Sequence, residues 1–175
     1  MRFLLLDTNV IIHAHELEIW QELTKRSEIT VAGTVLRDES LYYYRPDTGA
    51  KVYLNLEDDL RAGRIRELTV PADSPRELSA TLPRTIKLDA GELESLAGLA
   101  RATEPYHFCT GDAPAVRVLV LLGRAEQGIS MEKMLEKSGL RHKLDAQFTE
   151  ARFREYVRHA RAECAQTVKL RPQPK

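Results

Sequence analysis

The chain opens on Phe3-Leu4-Leu5-Leu6, a short unbroken apolar run that stops at Asp7-Thr8-Asn9. A run apolar at every position reads as a strand buried on both faces, and Asp-Thr-Asn suits a turn and a helix N-cap. From about Val10, apolar residues recur at three- and four-residue steps: Val10, Ala14, Leu17, Trp20 and Leu23. That spacing predicts one helix ending near Lys25-Arg26-Ser27. Ile29 to Ala32 reads as a second strand, Gly33 as a break, and Thr34 to Leu41 as a short helix carrying Asp38 and Glu39. Two β-prone runs, Leu41 to Arg45 and Ala50 to Leu54, flank Pro46-Asp47-Thr48-Gly49, which predicts a β-hairpin insertion. Arg64 to Val70 is a further strand, and Pro71 to Pro83, with three prolines, a loop holding a helical turn. Asp89-Ala90-Gly91-Glu92 opens a helix with Leu93, Leu96, Ala97 and Ala100 on one face. Tyr106 to Thr110 is the last clear strand, Gly111 a turn, and Asp112 the start of a helix containing Val116, Leu119 and Val120. Helices fill about Ser130 to Glu163. Alternating short strands and helices predict a three-layer α/β/α domain with a mostly parallel sheet.

Composition narrows this picture without redirecting it. The 175 residues suit one domain, and 43% hydrophobic with 30% charged is an ordinary globular balance. Net charge is zero, so any polyanion must be met by local patches. Charge is uneven, however: after Gly139 stand nine Lys or Arg against four Asp or Glu, a surplus of five. That tail reads equally as a solvated amphipathic helix or as a phosphate-binding surface. Cys109 and Cys164 are far apart and form no CxxC pair, which speaks against a disulfide framework or a zinc knuckle and fits a reducing cytoplasm. The opening apolar run is too short for a signal-peptide core or a membrane span.

The candidate chemistry is acidic. In an open α/β sheet, ligands bind beyond the carboxyl ends of the strands, so acids placed just after strands converge although distant in sequence. Asp7 and Asp112 meet that test, and Glu39 and Glu92, each early in a helix, are within reach of the same crevice. Clustered carboxylates stay ionised near neutral pH when a hard cation holds them together, and oxygen-only ligation points to Mg²⁺ or Mn²⁺. Such an ion suits phosphodiester hydrolysis. Each acid also has a purely structural alternative. Asp7 and Asp112 sit at N-cap positions, Asp89-x-x-Glu92 has capping-box spacing, and Asp38 competes with Glu39 for the inward direction. Asn9 and Thr110 are close enough in sequence to hold a carboxylate by hydrogen bonds. His13 and His15, two apart on a helix, face nearly opposite ways and make no zinc pair. His107 and Cys109 share a strand face with no further ligand nearby.

Leu6-Asp7-Thr8-Asn9-Val10-Ile11, Val35-x-x-x-Glu39, Gly91-Glu92-x-Glu94-x-Leu96-Ala97 and Thr110-Gly111-Asp112, in that order, resemble the PIN-domain family, which includes the VapC-type toxins. The resemblance covers about residues 1–122. It implies a Mg²⁺- or Mn²⁺-dependent endoribonuclease acting on RNA, with Asp7, Glu39, Glu92 and Asp112 as the acidic quartet and metal ligands, Asp7 and Asp112 foremost. Asn9 and Thr110 would orient them. It also implies homodimers and, for a toxin, an antitoxin whose segment fills the groove. Residues 1–125 would then be the nuclease domain, with the hairpin at about 41–55, and 126–175 a basic helical extension. Three features depart from the family pattern: Ala113-Pro114-Ala115-Val116 offers no further acid after Asp112, and the hairpin and the tail exceed a minimal toxin. A catalytically inactive RNA- or protein-binding module with this fold is the alternative. A haloacid-dehalogenase-type phosphatase would need an acid at position 9 and another at position 116, where this chain has Asn9 and Val116.

Overall fold

The computed structural model describes residues 4–37, 41–45, 47–103 and 105–169, with side chains to residue 166. Glu39, with Asp38, lies outside the described residues. Strand β1 (Leu4–Leu6) is fully buried and leads through Asp7 into α1 (Thr8–Glu16) and α2 (Trp20–Arg26). There follow β2 (Ile29–Ala32), α3 (Gly33–Arg37), the hairpin strands β3 (Tyr42–Tyr44) and β4 (Lys51–Tyr53), α4 (Leu56–Arg61) and β5 (Ile65–Leu68). The second half runs through α5 (Ser74–Thr81), α6 (Ala90–Arg101), β6 (His107–Cys109), α7 (Ala113–Leu121), β7 (Gly128–Ile129), α8 (Met131–Lys137) and α9 (Glu150–Lys169).

Five strands form one parallel sheet in the order β5-β2-β1-β6-β7, and β3 and β4 pair antiparallel apart from it. Alternation along the strands splits the core into two layers. Leu4, Leu6 and Cys109 point to the side packed by Val10, Trp20, Leu23, Met131 and Met134, while Leu5 and Phe108 point to the side packed by Leu78, Leu96, Ala115 and Leu119. Helices therefore cover both faces, as the alternation of elements predicts.

Four local expectations are corrected. The helix expected from Val10 to Arg26 is two helices, because the chain turns a corner at Leu17–Ile19. There Glu18 takes φ 57°, and the Glu18 and Ile19 N–H groups return to the carbonyls of His15 and Ala14. The apolar stripe continues across that corner because Ile19, Trp20 and Leu23 join the same core; neither Gly nor Pro marks the break. Trp20 Nε1 donates to Asp59 Oδ2 at 2.8 Å and anchors the new direction. Second, residues 74–81 form an eight-residue helix rather than a turn, started by Pro75 in its first turn. Third, α4 occupies a stretch with no assigned element. Fourth, a strand follows β6: β7 pairs parallel with it, Phe108 to Gly128 and Cys109 to Ile129. Gly128 is required there, since a Cβ would come within 2.6 Å of Phe153 Cζ and 2.8 Å of Leu119 Cδ1.

The C-terminal segment is thus part of the domain's packing. Phe148, Phe153 and Ala160 are buried, and α9 lies against α7.

A candidate acidic site at the strand switch point

From β1 the chain moves to β2 and β5 on one side, then returns to β6 on the other. The switch in direction falls between β1 and β6, the place where an open parallel sheet leaves a crevice beyond its carboxyl ends. Register fixes what faces that crevice. Leu6 pairs with Cys109, and the Asp7 N–H donates to the Cys109 carbonyl at 3.1 Å, so the next residues on each strand, Asp7 and Thr110, stand side by side. The Thr110 hydroxyl donates to Asp7 Oδ2 at 2.8 Å and accepts from the Asp112 N–H at 3.0 Å. One buried threonine therefore couples the ends of two strands.

Asp7 occupies the N-cap position of α1, yet its side chain accepts no capping hydrogen bond. It is 2% exposed, and Oδ1 has no hydrogen-bond partner among the described residues. Burial pushes its carboxyl up to about 7 and the charges of Asp89 and Asp112 add to this, while the Thr110 hydrogen bond and, more weakly, the Thr8 backbone N–H oppose it. A polar atom sealed in without a partner costs about 1–3 kcal/mol, so its persistence calls for an explanation beyond capping. Three fully buried leucines in β1, worth about 1.5–3 kcal/mol each, hold it there.

Glu92 and Asp112 do cap. The Asp89 carboxylate accepts from the Glu92 N–H at 2.7 Å, and Glu92 Oε2 accepts from the Asp89 N–H at 3.1 Å, completing the capping box of α6. Asp112 Oδ2 accepts from the Ala115 N–H at 3.1 Å at the head of α7. Each cap uses one carboxyl oxygen, Oε2 of Glu92 and Oδ2 of Asp112. Burial, then the charges of Asp7, Asp112 and Asp89, push Glu92 up to about 8. Burial likewise raises Asp112, while a hydrogen bond with Glu92 opposes the rise.

The structure brings Asp7, Glu92, Asp112 and Thr110 together; Asn9 is exposed in the first turn of α1, and Glu39 lies outside the described residues. Thr110 holds Asp7, on the neighbouring strand, rather than the carboxylate of Asp112. Asp89, expected only as a cap, is a fourth acid whose charge bears on Asp7, Glu92 and Asp112. Gly111 is pressed against the C-terminal segment: a Cβ there would lie 3.0 Å from Phe148 Cδ1 and 3.2 Å from the Gln147 carbonyl. Phe148 in turn stacks on His13 at 4.4 Å, which accounts for that histidine by packing. His15 stacks on Trp20 at 4.9 Å, and burial lowers it to about 4. Cys109 is buried, and its thiol is held well above its usual range by that burial.

The donor chemistry fits a hard cation: carboxylates converge, and one of their oxygens is buried and unpartnered. Among the described residues no three His, Cys, Asp or Glu side chains already stand in a metal-holding arrangement. Glu92 and Asp112, both raised by burial, would have to be ionised before they could ligate. No family model, curated protein or solved structure matches the chain, so the functional reading stands on these residues and on the resemblance of their motifs.

Proposed function

We propose that this protein is a Mg²⁺- or Mn²⁺-dependent endoribonuclease of PIN type, with Asp7, Glu92 and Asp112 as its metal-holding acids and Glu39 as the fourth. The observation that carries the reading is Asp7: a buried carboxyl at the switch point, unused as a cap, with one oxygen unpartnered and other acids bearing on it. When bound, the cation supplies Lewis-acid activation of a phosphodiester and of the attacking water. The chain's residues supply the rest. Thr110 fixes the orientation of Asp7 through Oδ2 and leaves Oδ1 free to ligate. The capping bonds at α6 and α7 keep Glu92 and Asp112 on helix termini rather than on loops.

A binding module that has lost catalysis is the second reading, and the satisfied caps at Glu92 and Asp112 favour it. Incubation of the purified chain with single-stranded RNA decides between them. Fragments that require Mg²⁺ or Mn²⁺ and vanish with chelator support the nuclease; RNA bound but uncut at millimolar metal supports the module. A toxin role, with an antitoxin in the groove and a homodimer, belongs to the same proposal. A short gene immediately upstream encoding a DNA-binding partner supports it, and a solitary gene counts against it.

A further inference from the structure

Three of the four large hydrophobic side chains exposed among the described residues lie on the hairpin. Pairing sets Tyr42 opposite Tyr53 and Tyr44 opposite Lys51, so these four side chains share one face, while Tyr43 and Val52 share the other. The second face is half-buried, with Leu41 in the core beside it. The first face is open: Tyr42, Tyr44 and Tyr53 are 38%, 58% and 65% exposed. Large aromatic rings left in water on one face mark a contact surface. Tyr42 meets Tyr44 edge-on at 5.7 Å and Tyr53 at a tilt at 6.0 Å, and Lys51 Nζ stands 3.7 Å from the Tyr42 ring centre and 4.7 Å from that of Tyr53.

We propose that this face is a stacking platform for single-stranded RNA, with bases on Tyr44 and Tyr53 and a phosphate on Lys51. The choice of RNA as the strand rests on the ribonuclease reading above; the stacking does not. Charge selects this occupant. Lys51 puts an ammonium in the middle of the aromatic face, which an apolar protein surface would have to desolvate without compensation, whereas a polyanion neutralises it. Aromatic rings interleaved with cations are what a single strand uses, since every base has a face to stack. Strand addition by another protein would use the hairpin's edges and leave these rings in water. The hairpin strand β3 lies against α1, the helix that Asp7 opens.

The test is fluorescence anisotropy of a short labelled oligouridine with the full chain in chelator, where no cleavage intervenes. Tyr44→Ala with Tyr53→Ala weakens binding about tenfold or more, and Tyr44→Phe with Tyr53→Phe stays within about twofold of the parent. Lys51→Ala lowers the slope of log affinity against log salt by about 0.7. Unchanged binding by the double alanine variant overturns the proposal, as does a parent chain that does not bind. So does a parent dimer in sedimentation velocity that the alanines dissolve, which would make the face a contact between two copies. Metal-dependent cleavage, assayed alongside, separates the two ideas. Tyrosine-dependent binding without cleavage refutes the nuclease and keeps the platform, and cleavage with tyrosine-independent binding does the reverse.

Discussion

The Thr110 hydroxyl donates to Asp7 Oδ2 across the gap between two parallel strands, 103 residues apart in sequence. It is the bond that sets which oxygen of Asp7 faces the crevice. Thr110→Val keeps the shape, removes the donor and leaves the Asp112 N–H without its acceptor. We expect a loss of about 1–3 kcal/mol in urea unfolding at neutral pH, and a further rise in the Asp7 pKa, because the bond favours the ionised form. Thr110→Ser restores both. Equal stability of the valine and serine variants would refute the assigned role.

Burial of Asp7 and Glu92 predicts that the metal-free protein loses stability as pH rises. The Asp7 carboxyl takes up its proton near 3.8 when unfolded and near 7 when folded, so between those values the folded chain binds more protons than the unfolded one. Its penalty is absent below about 4 and grows as pH rises through 7; Glu92 extends the window to about 8. The thermal midpoint in chelator should fall from pH 5 to pH 8. Asp7→Asn, which never ionises, should flatten that fall and melt higher than the parent at pH 8, a gain on the order of a few kcal/mol. A midpoint independent of pH in the parent contradicts the electrostatics described.

The same repulsion makes a cation stabilising. Millimolar Mn²⁺ should raise the midpoint at pH 8 by binding the folded state, and less at pH 5, where Glu92 and Asp7 hold protons. Asp112→Asn should shrink the shift. A melting curve that Mn²⁺ leaves unmoved at pH 8 would favour the binding module.

Gly111 sits between Thr110 and Asp112 with Phe148 and the Gln147 carbonyl against it. Gly111→Ala requires Phe148 and the Gln147 carbonyl to give by a few tenths of an ångström, and with Phe148 buried it should cost about 1 kcal/mol and slow any cleavage by displacing Asp112. Pairing it with Phe148→Ala should cost less than the two changes added separately, because the smaller side chain makes the space. Strict additivity in a double-mutant cycle would show that the contact is absent.

The parts of this fold legible in sequence are those with a strong local cause. The triple leucine of β1, the Asp89-x-x-Glu92 box and the Pro46 to Gly49 turn chemistry each specify their element within a few residues. The corner at Glu18 is invisible because the apolar spacing runs through it and a non-glycine residue takes the left-handed conformation. Strand β7 is two residues long, too short for any period, and owes its place to Gly128 fitting under Phe153. At the site, Asp7 and Asp112 follow from being acids just after strands, whereas the cross-strand direction of the Thr110 bond depends on the β1–β6 register. Nor could spacing reveal that Glu92, while closing its capping box, stands under the charges of Asp7 and Asp112.

The most direct test of the account compares parent and Asp7→Asn cleaving single-stranded RNA with Mn²⁺ at pH 8, both shown to be folded by their melting curves. Changes to groups that only orient metal ligands cost 10- to 100-fold in general, so loss of the founding carboxylate should lower the rate by about a hundredfold or more while RNA binding in chelator stays unchanged. Cleavage by Asp7→Asn at the parent's rate, or cleavage by either protein that persists in chelator, would contradict it.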